Sequence, residues 1–277
     1  MQHTDGKFTG RNNYSLYRQA WLPDGKPIAV LIIVHGIAEH SGRYANVVNY
    51  FVPRGYAIYS FDQRGHGKSE DKRGYVERFS YYLDDLKTYY DMVKKENTNT
   101  KIFMVGYSMG GTIATAYAIE HQSELKGLIL SGATLKLGSS VTKLTIFMGR
   151  VLSLLIPKMG ITALDVSGLS RDKAVVEAYI NDPLVYTGKI SARLGVEFLN
   201  TMGKLPSRIP ELSLPILIMH GSADRLSDPS SSRMLFEHIS SKDKTLKLYE
   251  GFYHEIFNEH QGQQVFADLE AWLKVRV

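Results

Sequence analysis

Short apolar runs alternate along this chain with longer stretches of helical periodicity. Residues 28–35, IAVLIIVH, are apolar almost without a break and rich in Val and Ile. Such a run predicts a parallel strand buried on both faces. Similar runs over 56–62, 101–106 and 125–131 predict three more strands. Between them, 43–51, 79–95 and 108–120 read as helices. In the second, Phe79, Tyr82, Leu83, Leu86, Tyr90 and Val93 fall on one helical face. Alternation of this kind predicts an α/β fold, with a mostly parallel central sheet and helices on both sides. Ahead of it, the turn signals Gly10-Arg11-Asn12-Asn13 and Pro23-Asp24-Gly25 bracket a strand over 14–21, read as part of an N-terminal hairpin.

The rhythm stops near Ala133. From 134 to 205 the pattern is mostly helical, with no convincing buried strand. It then resumes with strands over 216–220 and 246–249 and helices over 234–239 and 263–274. The expectation is an α/β core made of residues 1–133 and 206–277, with 134–205 inserted as a helical unit.

Composition narrows the chemistry. The 277 residues are 44% hydrophobic and 22% charged, which is ordinary globular usage. Cysteine is absent, so a disulfide framework, thiolate metal sites and a cysteine nucleophile are excluded. A net charge of +5 is scattered, with no basic stripe of the kind that nucleic acid requires. Residues 1–11 are polar and carry no secretory signal. A cytoplasmic protein is the expectation. The longest greasy stretch, 144–156, is interrupted by Arg150 and is too short to span a bilayer.

Gly106-Tyr107-Ser108-Met109-Gly110 is a G-x-S-x-G pentapeptide. Alone it is weak evidence, since chance supplies it in roughly one chain in ten of this length. Here it follows the strand KIFMV and opens a helix, the strand–turn–helix setting of a nucleophile elbow. A serine hydroxyl needs a base, and histidine has the right range. Of the nine histidines, His254 lies just past the last strand, where a loop reaches back over the strand ends. His35, His40, His66 and His220 read as residues that tie loops together. Asp224, just past the strand over 216–220, is the acid that would orient His254. Asp228 precedes a helix and suits an N-cap. The chain order Ser108, Asp224, His254 is that of α/β hydrolases. The expected oxyanion donors are the backbone N–H groups of Met109 and of Ile37, in the loop after the strand over 28–35.

Longer stretches carry a resemblance. His35-Gly36-Ile37-Ala38-Glu39-His40-Ser41-Gly42-Arg43-Tyr44, Asp62-Gln63-Arg64-Gly65-His66-Gly67-Lys68-Ser69, Gly106–Gly111, Ser170-Arg171-Asp172, Asn181-Asp182-Pro183, Gly221-Ser222-Ala223-Asp224-Arg225 and Tyr249-Glu250-Gly251-Phe252-Tyr253-His254-Glu255 together resemble the monoglyceride lipase family of α/β hydrolases. That resemblance implies cofactor-free hydrolysis of a single-chain acyl glycerol ester. It implies that the insertion is a cap with an acyl tunnel, able to touch a membrane surface through the apolar helix over 144–156. It also matches Glu39, Arg43 and Tyr179 to positions that recognise the glycerol head, although Glu39 and Arg43 could equally form an ion pair bracing the oxyanion loop. Phe257 stands where some members carry a head-group histidine. Lysophospholipids and simple esters remain rival substrates, because only the head-group pocket separates them. A lipid-binding protein without catalysis is the reading from a different class.

Overall fold

A computed structural model describes residues 1–137 and 141–277. In chain order the elements are β1 (Gln2–Thr9), β2 (Ser15–Leu22), β3 (Ala29–Val34), α1 (Ala45–Phe51), β4 (Tyr56–Phe61), α2 (Ser80–Glu96), β5 (Ile102–Tyr107), α3 (Met109–His121), β6 (Gly127–Ser131), α4 (Lys143–Leu155), β7 (Gly160–Thr162), α5 (Lys173–Asn181), β8 (Ile190–Ser191), α6 (Ala192–Arg208), β9 (Ile216–Gly221), α7 (Ser230–His238), β10 (Lys244–Tyr249) and α8 (Gln263–Lys274).

Eight strands form one sheet in the order β1-β2-β4-β3-β5-β6-β9-β10. The six from β4 to β10 run parallel, and β2 and β1 add antiparallel at one edge. Every residue of β3 is buried, as an uninterrupted apolar run requires. Val30, Ile32 and Val34 pack towards α2, α3 and α7. Ala29, Leu31 and Ile33 pack on the other face towards α1 and α8. The period of two along a strand thus feeds two separate cores. Because β3, β5, β9 and β10 are parallel, the loops that follow them gather at one edge of the sheet, where sites form in open α/β sheets.

Three details depart from the sequence pattern. β1 has no apolar run to announce it. Most of its residues are exposed, and it is held by residue-for-residue pairing with β2, from Gln2↔Leu22 to Thr9↔Ser15. Asn12 and Asn13, both left-handed at φ 60° and 62°, make the turn, which Asn tolerates better than other side chains. α7 starts at Ser230 rather than 234, because its first turn is serine and gives no apolar signal. Within 134–205, the short strands β7 and β8 pair with each other and not with the main sheet. The last helix of that stretch, α6, continues past 205 to Arg208, with Pro206 inside its final turn.

Candidate active site

Ser108 sits between β5 and α3 with φ 52° and ψ −121°, a backbone conformation that side-chain-bearing residues avoid. The strand-to-helix turn is tight enough to demand the two flanking glycines. A Cβ on Gly110 would collide with the carbonyl oxygens of Val34 and His35. One on Gly106 would lie 2.7 Å from the Gly111 Cα and from the Ala114 Cβ. Ser108 is held at the sheet edge by its N–H donating to the Ser131 carbonyl at 3.1 Å.

Asp224 and His254 come from the loops after β9 and β10. His254 Nδ1 donates to Asp224 Oδ2 at 2.6 Å. With its Nδ1 protonated, the neutral ring carries its lone pair on Nε2. His220, read from the sequence as a loop tie, has a more specific place. Its Nε2 also donates to Asp224 Oδ2, at 2.9 Å, while its Nδ1 lies 2.7 Å from the Ser232 hydroxyl. The other oxygen, Oδ1, accepts the N–H groups of Leu226 at 2.8 Å and Ser227 at 3.0 Å. Burial pushes the Asp224 carboxyl up, but the hydrogen bonds from His220 and His254 outweigh it and hold the group well below the usual carboxylate range. Asp228 instead accepts the Ser230 N–H at 2.8 Å at the start of α7. That is the capping role its position suggests.

The loop after β3 approaches Ser108 closely. A Cβ at Gly36 would lie 3.2 Å from the Ser108 Cβ. Two scaffolds hold this loop. Glu39 Oε1 accepts the Gly36 N–H at 2.6 Å and the Tyr44 hydroxyl at 2.9 Å. Asp62, at the end of β4, accepts the Ser41 N–H at 2.8 Å and the Lys68 N–H at 2.7 Å. From the inserted stretch, Tyr186 N–H donates to the Ala38 carbonyl at 2.8 Å, and His40 Nε2 pairs with Asp182 at 2.8 Å. Ala38 is left-handed at φ 68°, so these contacts fix a loop that a free chain would not adopt.

Ser108, Ile37 and His254 line one cavity, which Leu164, Leu169 and Tyr179 close from the inserted stretch. Ser108 is 8% exposed and His254 3%, so both side chains are largely withdrawn from solvent. Of the three head-group candidates, Glu39 has both oxygens engaged, the second by Arg43 Nη1 at 3.1 Å. Arg43 is shared with a residue the motifs did not single out. Its Nη1 and Nη2 donate to Glu255 Oε1 and Oε2 at 2.7 and 3.1 Å. Its guanidinium lies 4.4 Å over the Tyr179 ring. Burial opposes the Arg43 charge, but the Glu255 and Glu39 carboxylates more than compensate and keep it firmly protonated. Tyr179 is buried, and its hydroxyl has no partner among the described residues. The same is true of Tyr107, whose ring lies 4.9 Å from that of His254. The clues available in the sequence were adjacency alone: Glu255 follows His254, and Tyr107 precedes Ser108.

His35 and His66 brace the same region and carry a pH dependence. His35 Nε2 accepts the Gln63 N–H at 2.9 Å, so it is held neutral. Burial lowers His35 to about 4, only partly offset by Asp62. Burial and then His35 lower His66 to about 3. An unfolded histidine titrates near 6.5, so below that pH the unfolded chain binds protons that the folded chain refuses. Stability is therefore complete above pH ~6.5 and declines as pH falls towards these folded values, by at most about 1.4 kcal/mol per pH unit for each ring. The urea midpoint should drop steadily between pH 6.5 and 5, above the range where ordinary carboxylates titrate. A midpoint that stays level across that window would mean that neither ring is held neutral.

α4 presents an apolar face to solvent. Leu144, Phe147, Met148, Val151, Leu154 and Leu155 are exposed, Phe147 by 62% and Leu154 by 77%. Their spacing puts them on one side of the helix. The other side packs on α6, with Gly149 against Val196.

Comparison with known proteins agrees with this geometry. The family model described as "Serine aminopeptidase, S33" matches residues 25–261. A protein of Mycolicibacterium smegmatis named monoacylglycerol lipase is 33% identical over 98% of this chain and 96% of its own. The monoglyceride lipase of Homo sapiens is 34% identical over 94% of this chain and 87% of its own. A solved structure, a soluble variant of monoglyceride lipase from Saccharomyces cerevisiae in complex with a substrate analog, superposes with a TM-score of 0.90 at 27% identity, covering 100% of this chain and 96% of that one. A match over most of the length, to relatives a third identical from end to end, leaves one assignment: the chain belongs to the serine aminopeptidase S33 family of α/β hydrolases, within its monoglyceride lipase branch, and is a serine hydrolase.

Proposed function

We propose that this chain hydrolyses the ester bond of monoacylglycerols, releasing glycerol and a fatty acid through an acyl-enzyme on Ser108. The observation that carries the reading is the 2.6 Å contact between His254 Nδ1 and Asp224, in a site where His254 shares a cavity with an elbow serine. His254 Nε2 takes the Ser108 proton as Oγ attacks the ester carbonyl. The resulting oxyanion is received by the N–H of Met109, the first residue of α3, and by that of Ile37. The Gly36 N–H is already committed to Glu39, which makes Ile37 the natural second donor. Collapse expels the glycerol oxygen, which takes the proton from His254. Water, activated by the same histidine, then releases the fatty acid and restores Ser108. No step calls for a cofactor.

The names of the relatives favour the monoacylglycerol substrate. The apolar side chains of Leu164 and Leu169 beside Ser108 favour it too, because they offer cover to one acyl chain, whereas three chains on one glycerol would leave two without it. Residues 134–205 then act as a cap, and α4 carries its lipid-facing surface. Among the described residues no helix is long and apolar enough to cross a membrane, so α4 would lie in the interface with its exposed face in the acyl region. The test is release of glycerol from monooleoylglycerol and from trioleoylglycerol in phosphatidylcholine vesicles. The monoester should be cleaved faster by roughly a hundredfold. Phe147→Asp combined with Leu154→Asp should slow the vesicle-borne reaction about tenfold, with a much smaller effect on water-soluble monobutyrin. Equal rates on the two glycerides would remove the substrate assignment. Equal losses on vesicle and soluble ester would remove the lipid-facing role of α4.

A further inference from the structure

Next to the cavity that holds Ser108 lies a small chamber whose walls include Glu39, Arg43, Asn46, Tyr107, Glu255 and Asn258. It adjoins the reaction site, since Glu39, Arg43, Tyr107 and Glu255 also line the cavity that holds Ser108 and His254. Two carboxylates face one cation there. Arg43 donates both terminal nitrogens to Glu255 and shares one of them with Glu39. The three side chains sum to one uncompensated negative charge, and the Asp224 carboxylate stands close by, against two histidines. The remaining polar groups are the amides of Asn46 and Asn258, which bond each other and Glu255, and the phenols of Tyr44 and Tyr107. Tyr107 is buried, and its hydroxyl has no partner among the described residues. Burial and the Glu255 and Glu39 carboxylates hold it in the protonated form, as a donor. A buried donor left unpaired is unfavourable, so this chamber is suited to a ligand that brings hydroxyl oxygens to it.

We propose that Glu255 sets the head-group specificity of this chamber, so that it admits uncharged polyol alcohols and refuses phosphate-bearing ones. The inference rests on the hydrolysis reading above and deepens it. The physical argument has two parts. A phosphate entering the chamber would meet an excess negative charge at a distance of a few ångströms. At an effective dielectric near 20, one such charge shifts binding by about one to two powers of ten. Second, arginine is the side chain suited to forked contact with phosphate, and here that fork is occupied by Glu255. Replacing Glu255 with an uncharged residue removes the repulsion and frees the guanidinium in a single change. Glu255 is well placed to be specific rather than incidental. It is 3% exposed, its N–H is fixed to the Leu169 carbonyl at 2.7 Å, and its Oε2 also accepts from the Asn258 side chain at 2.7 Å.

The test compares 1-decanoylglycerol, 1-decanoylglycerol 3-phosphate and p-nitrophenyl decanoate in neutral-detergent micelles, with the full chain carrying Glu, Gln or Asp at 255. Within each protein the readout is the ratio of kcat/KM for the first two esters. The p-nitrophenyl ester has no polyol head and measures any general loss, which cancels in the ratio. The unmodified protein should favour the uncharged ester by roughly a hundredfold, and Glu255→Gln should narrow that ratio about tenfold or more. Glu255→Asp, which keeps the charge, should preserve it even if overall activity falls. A Gln variant that loses the same factor on all three esters would overturn the proposal, leaving Glu255 as a brace between the loops that hold His254 and Glu39. So would an Asp variant whose ratio narrows as far as that of Gln, since shape rather than charge would then decide. An unmodified protein that cleaves none of the three esters would overturn the hydrolysis reading as well.

Discussion

Ser108→Ala is expected to lower kcat for ester hydrolysis by about a millionfold while the protein stays folded. The large loss follows from the division of labour at the elbow. Without Oγ no acyl-enzyme can form, and His254 and Asp224 have nothing to activate. The folded state should survive because Ser108 contributes little packing of its own. Its backbone N–H bond to Ser131 is independent of the side chain, and alanine at φ 52° is no more strained than serine. Hydrolysis of a p-nitrophenyl ester and the thermal melting curve should be measured together. Activity within tenfold of the parent at an unchanged melting point would remove Ser108 from the mechanism.

Asp224→Asn should cost about four powers of ten in kcat, whereas Asp228→Asn should change it by no more than a few-fold. Asp224 accepts four hydrogen bonds, from His254, His220 and the N–H groups of Leu226 and Ser227. An amide keeps one oxygen and turns an NH2 group towards the other set. If that group faces the histidines, His254 is pushed to the tautomer with its proton on Nε2, where it can no longer accept the serine proton. If the oxygen faces them instead, two backbone donors lose their acceptor. Either way the charge that would stabilise the imidazolium is gone. Asp228 only accepts the Ser230 N–H at a helix start, and the asparagine oxygen accepts it equally well. kcat/KM values in the reverse order would refute the choice of acid.

The residues that announced themselves in the sequence were those whose role is local. The run 28–35 became β3 because burial on both faces demands continuous apolar character. Gly106 and Gly110 were readable because the tight turn tolerates no side chain at either position, and that turn lies within five residues. Asp224 and His254 were readable from their places after strands, which the parallel topology brings to one edge. What could not be read depends on partners distant in the chain. The Arg43–Glu255 pair joins positions 212 residues apart. No local pattern distinguishes such a pair from two solvated charges. β1, the partner strand of the expected N-terminal hairpin, has no bounds legible in the sequence for a related reason: its order comes from a ladder with β2, and most of its side chains other than Phe8 are exposed. The support of Asp224 by His220 lay between these cases. The histidine was recognised as a loop tie, but its partner could not be named without the curl of the loop after β9.

The position of α8 has a bearing on how the molecule comes into being. Val265, Phe266, Leu269, Trp272 and Leu273 share with α1 the cover of one face of the sheet, with Trp272 edge-on to Phe103 on the strand that leads to Ser108. The same final stretch of chain supplies His254. During vectorial synthesis, therefore, the portion carrying Ser108 emerges long before either its base or the helix that shields its sheet. Until that helix emerges, a nascent chain displays the part of that apolar face which α8 will cover, a surface of the kind that chaperones and proteases capture. Covering the rest of that face and bringing His254 against Asp224 thus fall to one segment.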